Sequence, residues 1–149
     1  MNNEHNLLHG IKVVSLAVNV PGPAAAARLR GLGAEIVKVE PPAGDPLARI
    51  SHPWYQAMAA GQQIVTLDLK DKDGRAALEP LLRDSDLLIT SMRSAALARL
   101  SLTQAEVQER HPRLCQVAII GFKAPADDIA GHDLTYQATA GLLSPPHLP

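Results

Sequence analysis

One cysteine, almost no net charge and no long apolar run set the first bounds on this chain. Cys115 alone cannot build a disulfide framework. A net charge of −1 over 149 residues, with a pI near 6.6, gives no field that would draw the chain to nucleic acid or to an anionic membrane. Any anionic ligand must therefore be held by local groups. No apolar run approaches the length of a membrane span, and Met1 to His9 carries Glu4 where a signal peptide would need an apolar core. These absences predict a cytoplasmic protein whose partners are neither nucleic acid nor membrane. What is there, 46% hydrophobic and 19% charged residues, suffices for one globular core, and the length fits a single domain over 1–149.

Prolines, glycines and short apolar runs divide the chain into one repeated pattern. Ile11 to Leu16 is apolar and β-branched, and it gives way at Pro21-Gly22-Pro23 to the alanine-rich stretch Ala24 to Leu32, closed by Gly33. That predicts strand, turn and helix, with Pro23 in the first helical turn, where its missing N–H costs nothing, and Gly33 as the left-handed residue that ends the helix. Glu35 to Glu40 is a second strand, cut off by Pro41-Pro42, and completes a right-handed βαβ unit with parallel strands. The pattern continues with a strand at Ile64 to Asp68, a helix from Asp71 to about Arg83 and a strand at Asp86 to Thr90. Helical turns at Ser94 to Leu100 and Thr103 to Arg110, a strand at Leu114 to Ile120 and a helix from about Asp133 to Leu143 follow. The alternation predicts an α/β fold, a Rossmann-like and mostly parallel sheet with helices on both faces. Pro41 to Gly61, with Pro41, Pro42, Gly44, Pro46 and Pro53, is expected to be a long loop with about one helical turn. Loops at the carboxyl ends of strands are where such sheets bind ligands.

Lys38 and Glu40 stand two apart in a strand and so share a face, as an exposed edge or as members of a salt bridge. Glu40 also closes the first βαβ unit, where an acidic residue would hold a ribose in an NAD-type dinucleotide-binding domain. The phosphate fingerprint of such a domain needs three glycines, whereas Asn19 to Ala25 offers Gly22 between two prolines that have no N–H to donate. The dinucleotide reading stands as an alternative from a second class.

Three stretches read together carry a more specific signal. GIKVVSLAVNVPGPAAAARLRGLGAEIVKVEPPAGDP from Gly10 to Pro46, IVTLDLKDKDGRAALEPLLRDSDLLITSMRSAALARL from Ile64 to Leu100, and GHDLTYQATAGLLS from Gly131 to Ser144 resemble the CaiB/BaiF family. That family comprises class III coenzyme A (CoA) transferases, such as formyl-CoA transferase, and alpha-methylacyl-CoA racemases. The likeness runs through essentially the whole chain in the same order. Full-length members are more than twice as long, so the resemblance is to their amino-terminal, CoA-binding part. It implies CoA or an acyl-CoA as ligand, a carboxylic acid as acceptor in the transferase case, and no metal. It also implies an interlocked homodimer, or pairing with a complementary carboxyl-terminal half.

CoA carries an adenosine 3′-phosphate and a pyrophosphate, so its site needs cations, free backbone N–H groups and a flat apolar slot for adenine. The resemblance places Ser91, Met92 and Arg99 against the nucleotide around the fourth strand, and the backbone of Asn19, Val20 and Pro21 against it in the first strand-to-helix turn. Lys38 and Arg93 lie near the same sheet edge. Without the resemblance, Arg93 and Arg99 read as a solvated helix face. In the racemase branch, the histidine of a Gly-His-Asp segment is one of two bases that exchange the proton alpha to the thioester, which makes His132 and Asp133 the catalytic candidates. Exchange between two faces demands such a pair, and histidine suits it because its ordinary pKa lies near neutrality. Otherwise His132 is a helix-start residue with its ring in water, and Asp133 a charge favoured by the helix dipole.

The sequence departs from the family at three places. Gly121 to Ala130 reads GFKAPADDIA where members carry a glycine-rich stretch, and Gln62 or Gln63 stands where a basic residue often precedes the third strand. The nucleophilic or proton-transferring aspartate of the family lies beyond the equivalent of Gly141 to Pro149. Asp45, Asp68, Asp127 and Asp128 are rejected as substitutes, because Asp68 reads as a turn residue and the others sit in loops with no geometry that points to the role. Transferase chemistry needs a carboxylate nucleophile and racemase chemistry a partner for His132, so the chain is expected to be inactive alone. Two readings follow from the resemblance: the CoA-binding part of a transferase or racemase, or a non-catalytic remnant that binds CoA or pairs with a related subunit.

Overall fold

A computed structural model describes residues 7–143. The elements are β1 (Lys12–Ser15), α1 (Pro21–Gly31), β2 (Glu35–Glu40), α2 (Pro46–Ile50), α3 (His52–Ala59), β3 (Gln63–Thr66), α4 (Lys72–Arg83), β4 (Leu87–Thr90), α5 (Ser94–Arg99), α6 (Gln104–Arg110), β5 (Cys115–Ala118) and α7 (Asp133–Thr139). The five strands form one sheet in the order β3-β2-β1-β4-β5, and every pairing is parallel. This is the predicted Rossmann-like α/β fold.

Alternation along the strands splits the core into two layers. Val14, Leu16, Val39 and Leu88 point to one face, where they pack with Leu78 and Leu82 of α4, Leu97 of α5 and Val107 of α6. Val13, Ala17, Ile36 and Ile89 point to the other, against Ala26 of α1 and Ala34. The registers Val14 to Val37 and Val14 to Leu88 make β1 the centre of both layers. Small residues let α1 approach closely, since a methyl group at Gly22 would overlap the Cβ of Ala17. Gly33, at φ +103°, ends α1 in the left-handed conformation expected from the sequence. A reciprocal cap starts α6: Glu106 N–H donates to Thr103 Oγ1, and Thr103 N–H to Glu106 Oε2 at 3.1 Å. The Thr103 hydroxyl bond holds the Glu106 carboxyl below the usual range.

Residues 41–61 differ from the expected loop, for they fold into α2 and α3. Pro46 and Pro53 occupy first helical turns, where a missing N–H costs nothing, so the prolines start these helices. Asp45 caps α2 by accepting from Leu47 N–H at 2.9 Å. Elsewhere the boundaries move by a few residues: α1 begins at Pro21, and α7 ends at Thr139 ahead of Gly141, whose φ is +71°.

Candidate functional site

Strand order runs outward from β1 through β2 to β3 on one side and through β4 to β5 on the other. The crevice between β1 and β4 at the carboxyl edge is therefore the topological switch point, where open α/β sheets bind ligands. A cavity of about 560 Å³ opens at this edge. Its walls come from the residues just after β1 (Leu16, Val18), the end of β2 (Val39 to Pro41), the β3–α4 turn (Leu67 to Lys70), Ser91 and Met92 after β4, and Ala96, Arg99 and Leu100 of α5 and its cap. Most of that lining is apolar, and three cations, Lys70, Arg75 and Arg99, stand in it. Apolar walls with a few convergent charges are the usual make-up of a small-molecule site. A shallower depression of about 780 Å³, lined by Arg28, Arg30 and Gln63 among others, lies where β2 and β3 begin.

The β1–α1 turn is held from two sides. Val18 N–H donates to Ser91 Oγ at 3.3 Å and Asn19 N–H to Asp45 Oδ1 at 2.9 Å. Asn19 has φ +67°, a left-handed conformation that asparagine tolerates better than most residues. Two successive amides are thus engaged within the protein, and Pro21 and Pro23 have none, so the turn lacks the run of free N–H groups that cradles a dinucleotide pyrophosphate.

The β3–α4 turn is organised by its own side chains. Asp68 Oδ1 accepts from Lys70 N–H at 3.0 Å, and Arg75 Nη1 donates to the carbonyls of Leu69 and Lys70 at 3.1 and 2.8 Å. A methyl group at Gly74 would collide with the Asp68 carbonyl. These constraints bring Lys70 and Arg75 together at the cavity wall.

Beside the cavity lies a buried ionic cluster. Lys38 Nζ meets Glu40 Oε1 at 2.7 Å and Asp45 Oδ2 at 2.6 Å, and it sits 4.7 Å from the centroid of the Tyr55 ring. Tyr55 Oη donates to Glu40 Oε1 at 2.9 Å. Burial, then this bond and the carboxylate charge, push the Tyr55 phenol up to about 12. Lys38 is only 1% exposed, so it neutralises carboxylates within the protein and does not face the cavity. The pair is not at an exposed edge; its partner from the β2–α2 loop is Asp45.

The remaining candidates lie outside the cavity lining. Arg93 is exposed at the N-cap of α5. Ser94 Oγ donates to Asp127, and Ala95 N–H donates to Asp128 Oδ1 at 2.9 Å. His132 and Asp133 are exposed at the start of α7; His132 N–H donates to Thr135 Oγ1 at 3.3 Å and Asp133 accepts from Gln137. Gln62 Nε2 bonds the Met58 carbonyl at 2.7 Å, and Gln63 begins β3 at the opposite sheet edge from the cavity. Of the residues singled out in the sequence, Glu40, Asp68, Ser91, Met92 and Arg99 line the cavity, whereas Asn19, Val20, Pro21, Lys38, Arg93, His132 and Asp133 do not. Lys70 and Arg75 line it and were not singled out. Their signal was a basic residue in the turn just after a strand's carboxyl end and a second in the first turn of the helix that follows. Among the described residues, no group of three or more His, Cys, Asp or Glu side chains is placed to hold a metal ion, and no helix is long and apolar enough to cross a membrane.

Known proteins resemble the chain in both sequence and structure. Cinnamoyl-CoA:phenyllactate CoA-transferase of Clostridium sporogenes is 32% identical over 97% of the chain, and human alpha-methylacyl-CoA racemase is 34% identical over 92%. The chain spans 38% and 35% of the lengths of these two enzymes. A CaiB/BaiF family protein from Brucella suis superposes with a TM-score of 0.85 at 28% identity, over 92% of this chain and 40% of that one. The model of CoA-transferase family III matches residues 8–145, and the chain belongs to that family.

Proposed function

We propose that the chain is a single CoA-binding domain which holds the nucleotide end of CoA or an acyl-CoA in the cavity at the carboxyl edge of β1–β4. The observation that carries this reading is the union of an apolar slot with Lys70, Arg75 and Arg99 at the switch point. The slot suits adenine, and the cations suit the phosphates. The engaged amides of Val18 and Asn19 weigh against the dinucleotide alternative. In the larger assembly, the domain serves a CoA transfer to a carboxylic acid or an alpha-proton exchange on an acyl-CoA, as a homodimer or with a complementary carboxyl-terminal half.

Alone, the chain turns over neither reaction. Each substitute carboxylate already serves the fold: Asp45 in the ionic cluster, Asp68 in its turn, Asp127 and Asp128 at α5. His132 is left as one base without a second.

A calorimetric titration with CoA tests the binding. Arg99→Ala should weaken it by about tenfold, equivalent to about 1.4 kcal/mol for one exposed charge-assisted contact, and salt should weaken the wild type more than the variant. Equal affinity in both would remove Arg99 from the site, and no binding by the wild type would remove the reading. Deuterium incorporation from heavy water into a 2-methylacyl-CoA, and CoA transfer to a free carboxylate, test the second claim. Activity of the chain alone in either assay would refute it.

A further inference from the structure

We propose that Asp127 and Asp128 are positioning residues that couple the cavity wall to the segment carrying His132. The six-residue helix α5 lines the cavity and is bonded to the loop that precedes His132. Ala96 and Arg99 face the cavity, while Ser94 and Ala95, at the other end of the helix, hold carboxylates from residues 33 positions further along the chain. Arg93, at the N-cap, makes no side-chain cap of its own. The loop therefore supplies from a distance the acceptors that a local serine or aspartate would provide.

The same loop grips α7. A methyl group at either Gly121 or Gly131 would overlap the Tyr136 ring, which packs edge-on against Phe122 with centroids 5.2 Å apart. Tyr136 thus lies against both ends of the loop whose middle is pinned to α5. It stands four residues after His132 and donates its N–H to the His132 carbonyl at 3.1 Å. A shift of α5 reaches His132 through Asp127 and Asp128, then Gly131 and Tyr136. The functional consequence, that occupation of the cavity sets the position of the histidine, rests on the cavity being the nucleotide site.

Amide hydrogen exchange on the full chain tests the coupling, first without ligand. Asp127→Ala with Asp128→Ala removes the acceptor of the Ser94 hydroxyl and the cap on Ala95 N–H, so exchange should speed roughly five- to tenfold in residues 94–97, in the loop and in α7. The Asn pair keeps acceptor oxygens and should restore wild-type rates, while unchanged protection in β1 and β4 shows that the fold persists. Wild-type exchange in α7 of the Ala pair would overturn the proposal, because the carboxylates would then cap α5 and nothing more. With saturating CoA, the wild type should gain protection both at 91–100 and in α7, and the Ala pair at 91–100 only; equal gains in α7 would likewise overturn it. Failure of CoA to bind would remove the nucleotide reading and leave the coupling to be decided by the ligand-free arm.

Discussion

Asp45 offers the sharpest test of the buried cluster. Its side chain is fully buried and serves three partners: Lys38 Nζ at 2.6 Å, and the amides of Asn19 and Leu47 at 2.9 Å each. Asp45→Ala takes one of two carboxylates from a buried ammonium and orphans two amides, one of them the α2 cap. Removing one member of a buried ion pair costs about 3–5 kcal/mol, and the orphaned amides overlap with that figure. Asp45→Asn keeps an oxygen for both amides but turns an amide nitrogen toward Lys38, so it loses the charge-assisted bond, about 1.5–3 kcal/mol. The order of stability should be wild type, Asn, Ala. Against a total of about 5–15 kcal/mol, the Ala variant should unfold at low denaturant. Urea unfolding followed by circular dichroism, with the slopes compared, gives the values. Equal losses for Asn and Ala would show that the two amides do not depend on Asp45. A loss below about 1 kcal/mol in the Ala variant would mean that the ammonium is not buried as described.

Three further predictions follow from single contacts. Because the Tyr55 phenol is raised to about 12, its contribution to stability is present up to the unfolded value near 10 and is lost as the pH rises toward 12. Absorbance near 295 nm should show a late ionisation step that is absent in Tyr55→Phe, and the lack of such a step in the wild type would contradict the buried bond to Glu40. Gly22→Ala and Gly74→Ala should each lower stability by about 1–3 kcal/mol through backbone and Cβ overlap, measured by thermal melting; unchanged midpoints would show that the turns relax at no cost. Val117, Ile120 and Leu134 are 45%, 47% and 67% exposed, so the isolated chain should self-associate, and a sharp monomer boundary in sedimentation at high concentration would count against it.

The fold was legible because strand and helix periods differ and the chain alternates between them in nearly every segment. The exception, residues 41–61, misled because proline has two opposite meanings. It breaks a helix from within and starts one at its first turn, and only the cap from Asp45 and the position of Pro46 decide between them. Ser91, Met92 and Arg99, expected at the site from a strand end and a family pattern, do line the cavity. Lys70 and Arg75 follow a strand too, but their place in the cavity wall depends on a turn built by Asp68 and Gly74. The spacing of Lys38 and Glu40 showed a shared face correctly and could not show burial, which comes from Asp45 and from Tyr55, a side chain on another helix.

The carboxylates make the separation of binding from chemistry a physical argument. A nucleophilic or proton-transferring carboxylate needs an oxygen that can approach a thioester or its alpha carbon. Asp45 spends one oxygen on two amides and the other on an ammonium. Asp68 caps its own turn, while Asp127 and Asp128 hold the start of α5. Freeing any of them for chemistry would loosen the turn, helix or cluster that it holds, which supports the proposal that the chain alone binds without reacting.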